Sequence, residues 1–263
     1  MRVSRGGRNA ATGLDTGRAR TVDRFRMAST SQHIGRVECG EPVEGRAWFA
    51  DIPAVAQVLA HGWDLAPITV LVGDNGAGKS TLVEAIAVAF GLGAEGGSTG
   101  ARNVTRRTES DLAEHLRLVR GIGASRIGFF LRAETMHSFY TYLENNPGGG
   151  REPVFHEMSH GESFLSLVGS RMFKPGLYVL DEPESALSFD NSLALVAHLS
   201  DLAANGSQVL LSTHSPVLAA IPGAAIWEIG EWGMRECAWE DLDLVRRWRG
   251  FLEEPGRTLR HLL

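Results

Sequence analysis

The chain has 263 residues, a formal net charge of −5, 43% hydrophobic and 22% charged residues, ordinary globular values that exclude wholesale disorder and fit one to two domains of about 150 residues. No apolar run approaches the roughly 20 residues that cross a bilayer, so an integral membrane segment is not expected. Two distant cysteines, Cys39 and Cys237, exclude a disulfide scaffold and a CxxC pair and point to a reducing cytoplasm, and the mild acidity argues against a nucleic-acid coat protein.

Residues 1–36 hold eight arginines and two acids among many Gly, Ser and Thr. With no apolar periodicity, they read as a disordered tail, although the same composition suits a targeting peptide or a nucleic-acid arm. Met27 is an alternative start that would leave residues 1–26 untranslated. The tail's six net positive charges leave −11 for residues 37–263, so any basic partner surface must be local. Gly45–Ile52 reads as a strand. Ile68–Val72 is a short β-branched run, as in a buried parallel strand, and helical spacing follows at Leu82, Val83, Ile86, Ala89 and Phe90. Residues 91–108 read as loop, Asp111–Val119 as helix and Ile127–Leu131 as strand. Tyr140–Glu152 ends in a Pro-Gly-rich loop signal. Leu177–Leu180 and Gln208–Leu211 are further buried strands around a helix over about 189–204. This alternation predicts an α/β fold, a parallel sheet covered by helices on both faces. Glu240–Arg249 reads as a solvated amphipathic helix, and Trp227, Trp232, Trp239 and Trp248 as packing around it.

Gly73-Asp74-Asn75-Gly76-Ala77-Gly78-Lys79-Ser80 fits G-x-x-x-x-G-K-[ST] after a strand and before a helix. The glycines let backbone N–H groups face phosphate oxygens, and the helix N-terminus adds positive charge. Lys79 would reach the β- and γ-phosphates and the Ser80 hydroxyl would bind Mg²⁺, with Thr81 closing the loop. Lys79 is one of two lysines beside 24 arginines, a choice that suits a compact point charge on phosphate.

The strand Leu177–Leu180 runs into Asp181-Glu182-Pro183. Alone, this would read as an exposed acidic turn before a helix. Downstream of a phosphate loop, Asp181 is expected to hold Mg²⁺ and Glu182 to orient the attacking water as general base. The next strand runs into Ser212-Thr213-His214, so His214 reaches the same sheet edge. A histidine after a strand is commonly a turn residue, but at this edge it can hydrogen-bond the γ-phosphate.

These three elements, with Ser159-His160-Gly161-Glu162-Ser163 upstream of the acidic pair, resemble the ATP-binding-cassette (ABC) class of P-loop ATPases in class order. The likeness covers about residues 48–230. The runs GFFLRAE (Gly128–Glu134), SHGESFL (Ser159–Leu165) and RHLL (Arg260–Leu263) are similar to those of small stand-alone bacterial AAA-family predicted ATPases, related to DNA-repair and chromosome-maintenance ATPases. The resemblance implies that Ser159 and Gly161, flanked by His160 and Glu162, contact ATP held by a second subunit. Glu134 falls where the class carries a Gln that senses Mg²⁺ and the attacking water; a carboxylate there could still ligate Mg²⁺, although its charge adds repulsion toward phosphate. Ser185–Ser188 resembles the loop that crosses the dimer interface, and Trp48 or Phe49 stands where an aromatic stacks on adenine. His160 and Glu162 depart from the transporter signature LSGGQ and favour the stand-alone group.

His156-Glu157-Met158-Ser159-His160 also matches the zinc-protease motif H-E-x-x-H, with Glu182 and Glu184 downstream as third-ligand candidates. That reading needs one helix through both histidines. Gly161 suggests instead that a helix begins near Ser159, and zinc chemistry would explain neither the phosphate loop nor His214.

The sequence thus predicts a disordered Arg-rich tail over 1–36 and an ABC-class P-loop ATPase domain over 37–263. That domain has a mostly parallel sheet, an N-terminal β element and a helical signature subdomain over about 95–172. The expected activity is Mg²⁺-dependent hydrolysis of ATP in an ATP-dependent homodimer, acting on a nucleic acid or protein partner. The alternatives are the ATP-binding subunit of a membrane transporter and a non-hydrolysing regulator.

Overall fold

The computed structural model describes residues 32–43, 45–98, 110–136 and 160–260. Its centre is a sheet in the order β10-β9-β3-β8-β7-β6-β4. The strands are β3 (Ile68–Gly73), β4 (Gly97–Ser98), β6 (Gly128–Arg132), β7 (Leu177–Asp181), β8 (Gln208–Thr213), β9 (Ala225–Gly230) and β10 (Gly233–Glu236). Strands β9, β3, β8, β7 and β6 are parallel neighbours, while β4 and β10 are antiparallel edges.

The central strands are apolar on both faces because both faces are covered. Val70, Val72, Tyr178, Leu180, Val209 and Leu211 enter one core. They pack there against α4 (His160–Arg171), α5 (Phe189–Ala204) and α6 (Asp243–Glu253). The alternate residues Leu71, Leu177, Val179 and Leu210 enter the second core. That face is covered by α1 (Pro53–His61), α2 (Lys79–Phe90) and α3 (Leu112–His115). A small antiparallel sheet of β2 (Trp63–Asp64), β1 (Arg36–Cys39) and β5 (Leu116–Val119) closes this side. A last short helix, α7, spans Pro255–Leu259.

Several expectations need correction. Residues 1–31 of the predicted tail lie outside the described residues, but its last five do not. His33 and Ile34 are buried and β1 starts at Arg36. The buried Gln208 side chain accepts from Ile34 N–H at 2.7 Å and donates to the Ile34 and Ala66 carbonyls at 2.8 and 3.1 Å. Gly45–Ile52 is not a strand. Trp48–Asp51 forms a 3-10 turn, because Pro53 opens α1 at once and only Phe49 of the run is fully buried in the core. Asp111–Val119 is helix only over Leu112–His115. Leu116 and Leu118 then follow a period of two, and β5 pairs with β1, with Arg117 opposite Glu38 and 2.5 Å from it.

The expected helical subdomain over about 95–172 falls partly on residues 99–109 and 137–159, outside the described residues, and its described part holds β4, β5 and β6 beside α3 and α4. The Phe129-Phe130-Leu131 run is buried on both sides and takes a place in the main sheet beside β7. The loop over 140–152 lies outside the described residues. The amphipathic helix begins later than expected, at Asp243, after a 3-10 turn over Trp239–Asp241. Trp227 packs edge-on against Trp63 and Trp239 donates to the Pro216 carbonyl, whereas Trp232 and Trp248 are exposed. Among the described residues, no helix is long and apolar enough to cross a membrane.

Candidate functional site

In a parallel sheet the strand C-termini share one edge, and ligands bind there. The register sets Val72 beside Thr213, Asp181 beside Ser212 and Arg132 beside Asp181. The phosphate loop leaves β3 at that edge. Gly76 and Gly78 hold positive φ values of 78° and 100°, a conformation that L side chains rarely adopt. A Cβ on Gly78 would also stand 2.6 Å from Ile52 Cγ2. Asp74, Asn75 and Gly76 are exposed on the loop, and α2 begins at Lys79, followed by Ser80 and Thr81. Asp74 lies 3.8 Å from Arg247 of α6.

Lys79 is 3% exposed. Its ammonium donates to the carbonyls of Gly73 and Asp74 at 3.0 and 3.1 Å. It lies 2.9 Å from His214 Nε2 and 3.8 Å from Glu182 Oε1. Burial pulls its pKa down, and the carboxylates of Glu182, Asp181, Glu184 and Asp74 oppose that pull. His214 Nε2 is also 3.1 Å from Glu182 Oε1. One ring nitrogen can accept from Lys79 or donate to Glu182, but a single protonation state cannot do both. Glu182 is the one non-glycine residue at positive φ among the described residues, at 49°. Strain of this kind collects where a side chain must be aimed.

Asp181 is 4% exposed. Its Oδ1 accepts from Ser80 Oγ at 3.0 Å and from the Ser212 hydroxyl. Its Oδ2 lies 3.5 Å from Arg132 Nε. Burial raises its pKa, and the two hydroxyls and Arg132 oppose the rise. Arg132 pairs with Glu84 of α2 at 2.6 Å and lies 3.8 Å from Glu134. Glu134 is 82% exposed, with the Arg132 guanidinium near both it and Asp181.

The structure therefore brings Lys79, Ser80, Asp181, Glu182 and His214 to one edge. Gly161 lies in the first turn of α4, where an added Cβ would stand 2.2 Å from the Asn191 amide nitrogen. Glu162 is exposed there. Ser159 lies outside the described residues, as does the His160 side chain. Residues 156–159 of the zinc motif are likewise outside them, and the described helix begins at His160. Ser188 caps α5 by accepting from Asn191 N–H. Of the two candidate stacking aromatics, Phe49 is excluded because it is buried against His115, while Trp48 is 60% exposed. The sequence reading assigned no role to Arg132 or Ser212, and named Glu184 only as a zinc-ligand candidate. Each is a polar residue at or just past a strand end beside an assigned one, which is the signal that could have found them.

The edge suits a nucleoside triphosphate with a hard divalent cation. It presents an amide-lined loop, a buried ammonium, and a hydroxyl and carboxylate 3.0 Å apart. A phosphate loop after the central strand, with an acidic pair and a histidine at the ends of β7 and β8, is the arrangement of a P-loop NTPase fold. Two family models match the chain, an AAA domain over residues 65–147 and a second AAA domain over 108–220. The second also carries the name of the AbiEii toxin of type IV TA systems. The chain is similar to an uncharacterized ABC transporter ATP-binding protein of Haemophilus influenzae, with 24% identity over 181 residues. That stretch covers 59% of this chain and 67% of the relative. Among solved structures, the SMC head domain of Thermotoga maritima aligns with a TM-score of 0.40 and 17% identity, over 67% of this chain and 93% of that one. A metal-chelate type ABC transporter in an inward-facing conformation aligns with a TM-score of 0.40 and 18% identity, over 68% and 75%.

Proposed function

We propose that the protein binds Mg-ATP at this edge and hydrolyses it to ADP and phosphate. The observation that carries the reading is the convergence of Lys79 Nζ, His214 Nε2 and Glu182 Oε1 behind the phosphate loop. In this reading the backbone N–H groups of residues 73–81 and Lys79 hold the phosphates. Ser80 and Asp181 would hold Mg²⁺, which when bound would neutralise phosphate charge. Glu182 orients a water in line with the γ-phosphate and takes its proton. His214 contacts the γ-phosphate, and Glu134 is a further candidate toward the metal.

The finer reading is an ATP-driven dimerisation switch. Ser159 and Gly161 of a second copy, the latter in the first turn of a helix of twelve residues, would offer N–H groups to the γ-phosphate. ATP would then join two copies head to tail, and the closed pair would act on a nucleic acid or protein partner. The name of the Haemophilus relative supports a second reading, a transporter subunit. Co-purification with a membrane permease would favour it.

Phosphate release by the wild type and by Glu182→Gln tests the first reading. The expected result is a loss of about 100-fold or more in kcat with ATP affinity retained. A variant that turns over at the wild-type rate removes Glu182 as base. A wild type that binds ATP without turnover favours the regulator.

A further inference from the structure

Glu184 takes part in none of these steps, yet it touches the site. It lies two residues past Glu182 in the 3-10 turn Pro183–Ala186. Its Oε1 accepts a hydrogen bond from the backbone N–H of His214. The same two strand ends are tied once more, by Glu182 N–H to the Ser212 carbonyl at 3.1 Å. One backbone bond and one side-chain bond thus join the turn that carries Glu182 to the turn that carries His214. Burial raises the Glu184 carboxyl pKa, and the His214 N–H bond is the first of the effects opposing that rise. The hydrogen bond to the histidine turn accounts for burying a carboxylate at this cost.

What it holds is sensitive to distance. His214 Nε2 is 3.1 Å from Glu182 Oε1 and 2.9 Å from Lys79 Nζ. A drift of about 1 Å removes both contacts, because hydrogen bonds weaken steeply beyond about 3.2 Å. The β8 ladder ends at Thr213, so His214 stands one residue past its support. Its amide would otherwise turn to water or to a different acceptor.

We infer that Glu184 is a positioning residue, whose carboxylate latches the His214 turn to the Glu182 turn and so sets the approach of the histidine ring to the base and the lysine. The inference rests on the ATPase reading above, and it predicts that an acceptor is needed at this position, whereas a charge is not. Glu184→Gln keeps an acceptor oxygen without the charge, and Glu184→Ala removes both.

The test measures Mg-ATP turnover, ATP and ADP affinities, and melting temperature for the wild type and both variants. Glu184→Ala is expected to lose about tenfold or more in kcat, since a misplacement of about 1 Å costs up to 100-fold. It is also expected to lose most of the preference for ATP over ADP at unchanged ADP affinity. Glu184→Gln is expected to stay within about threefold of wild type in both, at an equal or higher melting temperature. An alanine variant with wild-type kcat and wild-type ATP preference overturns the inference. So does a glutamine variant as impaired as alanine, which would assign the effect to charge. A wild type with no preference for ATP overturns it too. If the alanine variant does not fold, Glu184→Met, which fills the space without an oxygen acceptor, replaces it. A wild type without turnover refutes the ATPase reading alone, and the ATP-to-ADP preference of the variants still decides the latch.

Discussion

Asp181 is held by two hydroxyls and an arginine, and still its burial raises the carboxyl pKa. Such a carboxyl binds its proton more tightly in the folded protein than in the unfolded chain. Its contribution to stability is therefore present below the ordinary aspartate range and is lost as pH rises to and through the raised value. Asp181→Asn keeps an acceptor for Ser80 and Ser212 while removing the buried charge. It is expected to gain about 1 kcal/mol of stability at pH 8, a gain that disappears below the ordinary aspartate range, at about pH 3, and to lose Mg-ATP turnover. Thermal melts at the two pH values check the first half, and a variant no more stable than wild type at pH 8 would show that Arg132 already compensates the charge. The phosphate loop, the acidic pair and His214 were legible as residues because each follows an apolar strand in a fixed spacing. Arg132 and Glu184 were not, because nothing in spacing says that Arg132 reaches Glu84 or that Glu184 reaches a backbone N–H thirty residues on.

At the scale of elements, the strands with unbroken apolar runs were readable, and their boundaries moved by one or two residues. The errors fell where tertiary pairing overrides local pattern. Leu116–Val119 became strand because β1 offers an edge with Glu38 opposite Arg117. The segment before β1, Gln32–Gly35, joins the fold through the buried Ile34, through backbone bonds of Gly35 to Val119 and Leu65, and through one side chain of β8. Gln208→Ala leaves the Ile34 N–H and two carbonyls without the amide they now share. The expected loss is about 2–3 kcal/mol, read from urea unfolding, with faster amide exchange at Ile34. A loss below about 0.5 kcal/mol would mean that water replaces the amide at no cost.

At the scale of the whole molecule, the proposed switch requires two copies. Light scattering of the Glu182→Gln protein with and without Mg-ATP tests it directly, since blocked hydrolysis would let a closed dimer accumulate. The expected result is a doubling of mass only with Mg-ATP, and its loss on adding a second change, Glu162→Arg, at an exposed position in the first turn of α4. A protein that stays monomeric at saturating ATP removes Ser159 and Gly161 from any role in trans, and leaves Lys79, Ser80, Asp181, Glu182 and His214 to act within one chain.

The sequence by itself determined the α/β class, the phosphate loop and the order of the site residues along the chain. These depend on local periodicity and on residue types that phosphate chemistry requires at fixed spacing. Only the tertiary structure decided that β6 lies beside β7, that Phe49 is core while Trp48 is exposed, and that Lys79, Glu182 and His214 meet within hydrogen-bonding reach of a shared ring nitrogen. Those outcomes depend on strand register and on which face is covered, and both are set by residues far apart in the chain competing for the same neighbours.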